Sequence, residues 1–199
     1  MAEEKQLTVD EFLKAIIDLD GRFELVRGVA YAFAGATEGH NVIWSNVLTV
    51  LVPSGKRKGC RTTSSAAVQT GPDTVRHSDV VVDCGPPNAM ALTASWPTIV
   101  VEVSSSGTAV FDYDAKLREY QGVESINTVL EIESEIARVK VHRRQESGTW
   151  TDETVEEFGI AIPLTTLATS ITLNEIYDTL EVKPRPRLQV VQNNPSKSM

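Results

Sequence analysis

The sequence lacks any apolar run near the 18 or so residues that a bilayer-crossing helix requires, which excludes a helical membrane span. Its first residues, Met1-Ala2-Glu3-Glu4-Lys5-Gln6, lack the basic-then-apolar order of a signal peptide, so a cytoplasmic protein with no membrane partner is expected. Cysteine is scarce. Cys60 and Cys84 are too few for a disulfide framework and lack the paired spacing of a zinc site, and both are expected as buried thiols. Aromatic residues make up only 6%, and no aromatic–basic interleaving suggests base readout. Positive charge is also short: the formal net charge is −8, and Lys183, Arg185, Arg187 and Lys197 all lie in the last 17 residues, which contain no acid. Residues 1–182 therefore set 15 basic against 27 acidic residues, a formal −12. Such a body argues against tight non-specific DNA binding through phosphate neutralisation, while leaving room for a small catalytic cleft.

What is present is ordinary for a folded chain. With 199 residues, 41% hydrophobic and 23% charged, the sequence fits one domain over 1–182, followed by a basic tail, 183–199, too poor in apolar residues to order itself. Thr8 and Glu11 form a capping box, and the apolar residues from Phe12 to Leu19 continue it as a helix near 8–18. Strands Phe23–Val26 and 29–33 read as a hairpin around Arg27-Gly28. Val42, Ile43, Val47, Leu48 and Leu51 predict a helix over 38–51, stopped by Pro53-Ser54-Gly55. Short strands near 59–63 and 66–70 precede a turn at Gly71-Pro72-Asp73.

Residues 79–83 and 98–103 are β-branched runs too continuous for strands with one wet face, so they are expected at the centre of the sheet. A helix over 112–120 and strands 128–132 and 138–143 follow, giving a βαβ crossover. Residues 149–172 look like a β meander, and Leu173–Tyr177 like a short helix. The expected fold class is α/β: a mixed central sheet flanked by helices, with the meander added.

Asp79 starts one central run and Glu102 lies near the end of the other, so pairing of the two would bring the carboxylates together. A carboxylate inside an apolar strand is costly to desolvate unless paired, protonated or bound to a cation. Two carboxylates, a backbone carbonyl and waters suit Mg²⁺; a half-exposed strand with Glu102 merely solvated is the alternative. Asp112, Lys116 and Tyr120 recur every fourth residue on one helix face, either as an ordinary surface pair with a part-buried ring or as part of a site. His40 at a helix start and Glu24 in a strand have equally ordinary readings, as a helix-terminus residue and an edge-facing side chain.

Taken in order, Phe23-Glu24-Leu25-Val26, Glu38-Gly39-His40, Asp79-Val80-Val81-Val82, Val101-Glu102-Val103-Ser104 and Asp112, Lys116, Tyr120 resemble the Uma-two family of restriction-endonuclease-like proteins, part of the PD-(D/E)XK nuclease superfamily. The resemblance runs over about residues 5–182 and includes Arg138 to Arg144, Trp150 and Leu173 to Tyr177. It implies a restriction endonuclease-like core and metal ligands at Asp79, Glu102 and the Val103 carbonyl. It also implies a catalytic lysine at Lys116, with Glu24, His40, Asp112 and Tyr120 in support. The superfamily's usual lysine position, two residues past the acid, holds Ser104, so the amine must come from the following helix. Ser78 stands where the family usually has proline, and Ser104-Ser105-Ser106-Gly107-Thr108 departs from its usual loop.

The implied function is a Mg²⁺- or Mn²⁺-dependent endonuclease that contacts DNA transiently, as a homodimer. The alternative is a catalytically decayed binding or dimerisation module. Lys116 is expected on an exposed, cleft-facing side of its helix, and hence to be removable without loss of stability.

Overall fold

A computed structural model describes residues 6–17, 19–32, 35–104 and 110–184; the side chains of residues 110–113 lie outside that description. The chain runs α1 (Val9–Ile16), β1 (Phe23–Val26), β2 (Val29–Ala32), α2 (Glu38–Arg57), β3 (Arg61–Gly71), β4 (Thr74–Asp83), β5 (Pro97–Ser104), α3 (Val110–Gly122), β6 (Thr128–Glu133), β7 (Val139–Arg144), β8 (Trp150–Val155), β9 (Ala161–Leu164), β10 (Thr169–Thr172) and α4 (Leu173–Ile176). An eight-stranded mixed sheet has the order β2-β1-β4-β5-β6-β7-β8, and β3 pairs with β4 beside that path.

The two β-branched runs are neighbours as expected, with β4 antiparallel to β5 from Val80↔Val101 to Asp83↔Pro97. β5 and β6 are parallel across α3, the predicted crossover. Both faces of these strands are covered. Val80, Val82, Val101, Val103 and Leu130 share a core with Ile43, Val47 and Leu51 of α2, whereas Val81, Val100 and Val129 pack with Tyr120 of α3.

Four expectations change. The helix predicted over 38–51 continues through Pro53 to Arg57, where Ser54 and Gly55 are buried and Gly55 packs against β3. A Cβ on Gly55 would lie 2.7 Å from Thr62 Oγ1, so this packing outweighs the one hydrogen bond that Pro53 forfeits. The weak strands 59–63 and 66–70 are one strand, β3, interrupted only in conformation by Ser65 at φ 47°. The predicted meander splits: β8 forms the edge of the main sheet, and β9 and β10 form a separate antiparallel pair. Lys183, assigned to the tail, is held by the Ala137 N–H at 3.0 Å; the tail from residue 185 onward falls outside the described residues, as does Phe33.

The cysteines are also corrected, from thiols to a Cys60–Cys84 disulfide. Its cause is register. β3 and β4 pair Arg61↔Asp83 about the turn at 71–73, so the residues just beyond, 60 and 84, stand opposite each other, with Cα atoms 4.1 Å apart. Next to this crosslink, Asp83 gathers the loop to β5. It accepts from the backbone N–H groups of Gly85, Ser95 and Trp96 at 2.8–2.9 Å and from Arg61 at 2.9 Å, and these donors hold its carboxyl below the usual range despite burial.

Candidate active site at the opening between two central strands

The pairing of β4 with β5 stops at Val80↔Val101, whereas β5 goes on pairing with β6 as far as Ser104. Beyond that stop, the Val103 N–H has no β4 carbonyl to meet. It donates instead to Asp79 Oδ2 at 2.8 Å, so a side chain completes the ladder where the two strands part. On the other side of β4, Ser65 lies between the pairs Ser64↔Val80 and Ala66↔Ser78, level with Asp79, and takes a left-handed conformation. A non-glycine residue there carries a strain of about 1–2 kcal/mol. Both neighbours of β4 are thus irregular at Asp79.

Glu102 occupies the matching place on β5. Its Oε1 accepts from Tyr120 Oη at 2.6 Å, and its Oε2 lies 3.9 Å from Lys116 Nζ. The i, i+4 spacing on α3 brings Lys116 and Tyr120 down on the same carboxylate, as their periodicity predicted. Lys116 Nζ is 2.9 Å from Glu24 Oε1, and Arg76 donates to Glu24 Oε2 at 2.8 Å. Arg76 also makes a two-pronged bond to Glu119, with Nε to Oε2 at 2.6 Å and NH2 to Oε1 at 3.0 Å. On the α2 side, His40 Nε2 lies 3.1 Å from Asp79 Oδ2, and Arg22 NH1 is 3.8 Å from Asp79 Oδ1.

Burial dominates the electrostatics. It pushes the Glu102 carboxyl up to about 7, reinforced by the charge of Asp79 and opposed chiefly by Lys116. His40 is raised by its hydrogen bond to Asp79, against burial. Tyr120 is raised well above its ordinary value by burial and by the charge on Glu102. Arg76 is buried, which would lower it, but Glu119 and Glu24 together more than offset that, so it stays charged.

Asp79, Glu102, Lys116, Glu24, His40 and Tyr120 therefore converge. Val103 joins them through its N–H. Asp112 lies on the helix, but its side chain is outside the described residues. Lys116 is not exposed as expected: its side chain is 10% accessible, clamped among carboxylates. Arg76, Glu119 and Arg22 were not anticipated. Arg76 carries a usable signal, a charge within the β-forming stretch just before Asp79, the same anomaly that Glu102 presents in its strand.

Among the described residues, no three His, Cys, Asp or Glu side chains cluster with metal-binding geometry. The available donor set is narrower and made of hard oxygens. Asp79 Oδ1 and Glu102 Oε2 accept no hydrogen bond among the described residues, facing only cations at 3.8 and 3.9 Å, while their partner oxygens are fixed in place. One oriented and one open oxygen on each of two buried carboxylates fits a hard divalent ion completed by water.

The family model that matches residues 9–175 is described as "Uma2: Putative restriction endonuclease". The chain belongs to the Uma2 family. Among solved structures, this Uma2 protein is similar to a chain from Anabaena variabilis ATCC 29413 described as a "putative nuclease belonging to DUF820", at 18% identity and a TM-score of 0.67. That match covers 85% of this chain and 97% of the other, and it establishes the shared fold. No curated protein matches the sequence.

Proposed function

We propose that this Uma2 protein is a divalent-metal-dependent nuclease that hydrolyses DNA phosphodiester bonds, with Mg²⁺ or Mn²⁺ held by Asp79, Glu102 and the Val103 carbonyl. The observation that supports the reading is the parting of β4 from β5, beside which two buried carboxylates and a lysine lie near enough to act on one another electrostatically. A bound divalent ion supplies a lowered water pKa and neutralises charge on the scissile phosphate.

The chain's own residues do the rest. Tyr120 and the Val103 N–H fix the rotamers of Glu102 and Asp79, and His40 meets the same Asp79 oxygen, Oδ2, from α2. Lys116 would bring an ammonium to an attacking water or to the negative charge on the oxygens of the pentacovalent transition state. Glu24, anchored by Arg76, holds that ammonium in position, so Arg76 and Glu119 act through Lys116 and not on substrate.

The test is plasmid cleavage by purified protein with Mg²⁺ or Mn²⁺, run beside Glu102→Ala and Asp79→Ala, with calorimetric titration of the ion. Cleavage and ion binding that are both lost in the variants support the reading. Equal cleavage by Glu102→Ala overturns the assignment, and a folded wild type inert on DNA favours the non-catalytic module that the acidic body suggests.

A further inference from the structure

We propose that Arg22 grips the phosphodiester backbone of the substrate at the mouth of the Asp79–Glu102 opening, an assignment that rests on the nuclease reading above. Three cations meet the carboxylates of the site, and they differ in freedom. The side chain of Arg76 is 3% accessible and tied to Glu24 and Glu119; that of Lys116 is 10% accessible and held at Glu24. That of Arg22 is 41% accessible. Substrate approaching from solvent meets this guanidinium before the two buried cations.

Its bonding points the same way. Among the described residues no hydrogen bond engages the Arg22 donors: the 3.8 Å approach to Asp79 Oδ1 is an ion pair too long for a hydrogen bond. A guanidinium offers five N–H donors in a planar fork that matches the two non-bridging oxygens of a phosphodiester. The fork is also held in place. The Arg22 guanidinium carbon lies 5.1 Å from the centre of the Trp44 ring, a cation–π contact that holds it beside the carboxylates without using its donors. Trp44 itself is set by α2, one turn after His40, and packs against the main core.

The acidic body raises the value of such a residue for a polyanionic substrate. At a formal −12, residues 1–182 set up a field that repels DNA, so a cation held at the opening offsets that repulsion where the substrate must sit. Lys56, Arg57 and Lys58 are basic but sit at the far end of α2, a 20-residue helix about 30 Å long that carries His40 at its start.

The experiment is fluorescence anisotropy with a fluorescein-labelled duplex oligonucleotide in Ca²⁺ across a salt series, joined to steady-state cleavage in Mg²⁺. Wild type, Arg22→Ala, Arg22→Lys and Lys58→Ala are compared after their melting curves show that all are folded. Arg22→Ala should weaken binding roughly tenfold and make the slope of log K against log salt shallower by about 0.9, the value for one phosphate contact. KM should rise more than kcat falls. Arg22→Lys should keep the salt slope and recover only part of the affinity, since an ammonium keeps the charge but not the fork. A wild-type slope and KM in Arg22→Ala, beside a wild type that cleaves, overturn the assignment and leave the nuclease reading standing. An equal loss in Lys58→Ala overturns it too, by reducing the effect to bulk charge. If wild type neither binds nor cleaves the duplex, the nuclease reading falls and takes this assignment with it.

Discussion

Lys116→Ala should destabilise the protein strongly, and the effect should depend on pH. The ammonium lies 2.9 Å from Glu24 and 3.9 Å from Glu102, in a site that also holds Asp79. Removing one partner of a buried ion pair leaves uncompensated charge and typically costs about 3–5 kcal/mol. At about 2–4 °C per kcal/mol for a chain of this size, the melting temperature should fall by roughly 6–20 °C. Glu102 sets the pH dependence. Its folded value of about 7 is above its ordinary 4.5, so the stability tied to its proton is complete below about 4.5 and lost as pH rises through about 7. Lys116 is the largest influence holding that value down, so without it the folded value moves higher and the loss continues to higher pH. The gap between wild type and variant should therefore widen as pH rises above about 7. Calorimetric melts in EDTA at pH 6 and pH 8.5 read this directly. Adding Glu24→Gln to Lys116→Met should recover part of the loss, because the stranded charge goes with its partner. A variant that melts within 2 °C of wild type at both pH values would refute the buried counter-ion argument and restore the surface lysine read from the sequence.

Tyr120→Phe keeps the buried ring but removes a 2.6 Å hydrogen bond to Glu102, a charge-assisted contact worth about 1.5–3 kcal/mol, so the carboxyl should titrate roughly one to two pH units higher. Carboxyl NMR checks this, and an unmoved titration contradicts it. Asp79→Asn removes the main cause of the raised His40 value while burial remains, so the His40 imidazole should titrate at lower pH in that variant; ¹H–¹⁵N spectra of the ring follow it. Breaking the Cys60–Cys84 crosslink, which spans 24 residues, should cost about 3.5 kcal/mol if closure entropy dominates. The urea midpoint of Cys60→Ser/Cys84→Ser reads this, and an unshifted midpoint argues against that account.

The central frame was legible because its signals are local. Unbroken β-branched runs mark β4 and β5 as covered on both sides, and the helical pattern between β5 and β6 implies the crossover, so the pattern of residues is enough to bring Asp79 and Glu102 together. Lys116 and Tyr120 were legible as one helix face. What stayed hidden depends on partners distant in sequence. Arg76 is charged inside a strand only because Glu24, 52 residues earlier, and Glu119, 43 later, neutralise it. The burial of Lys116 follows from the same network, which no helical period reveals. The disulfide required the β3–β4 register, although 60 and 84 stand equally far from residue 72 in a turn the sequence did mark. Pro53 misled for the opposite reason: a local rule for helix termination yields when the next turn is packed against a strand.

The Val103 amide, like that of His77 on β4, is a main-chain proton in a central strand that donates to a carboxylate, and it is the one that meets Asp79. Its resonance frequency and its exchange with solvent therefore depend on the charge of Asp79, while amides of Val100 and Val101 in the regular ladder serve as internal references. An ion drawing on that carboxylate, a proton added to it, or a substrate that displaces Arg22 from it would each move one identifiable peak. The protein thus contains its own spectroscopic probe at the point where β4 and β5 part, readable without a chromophore or turnover.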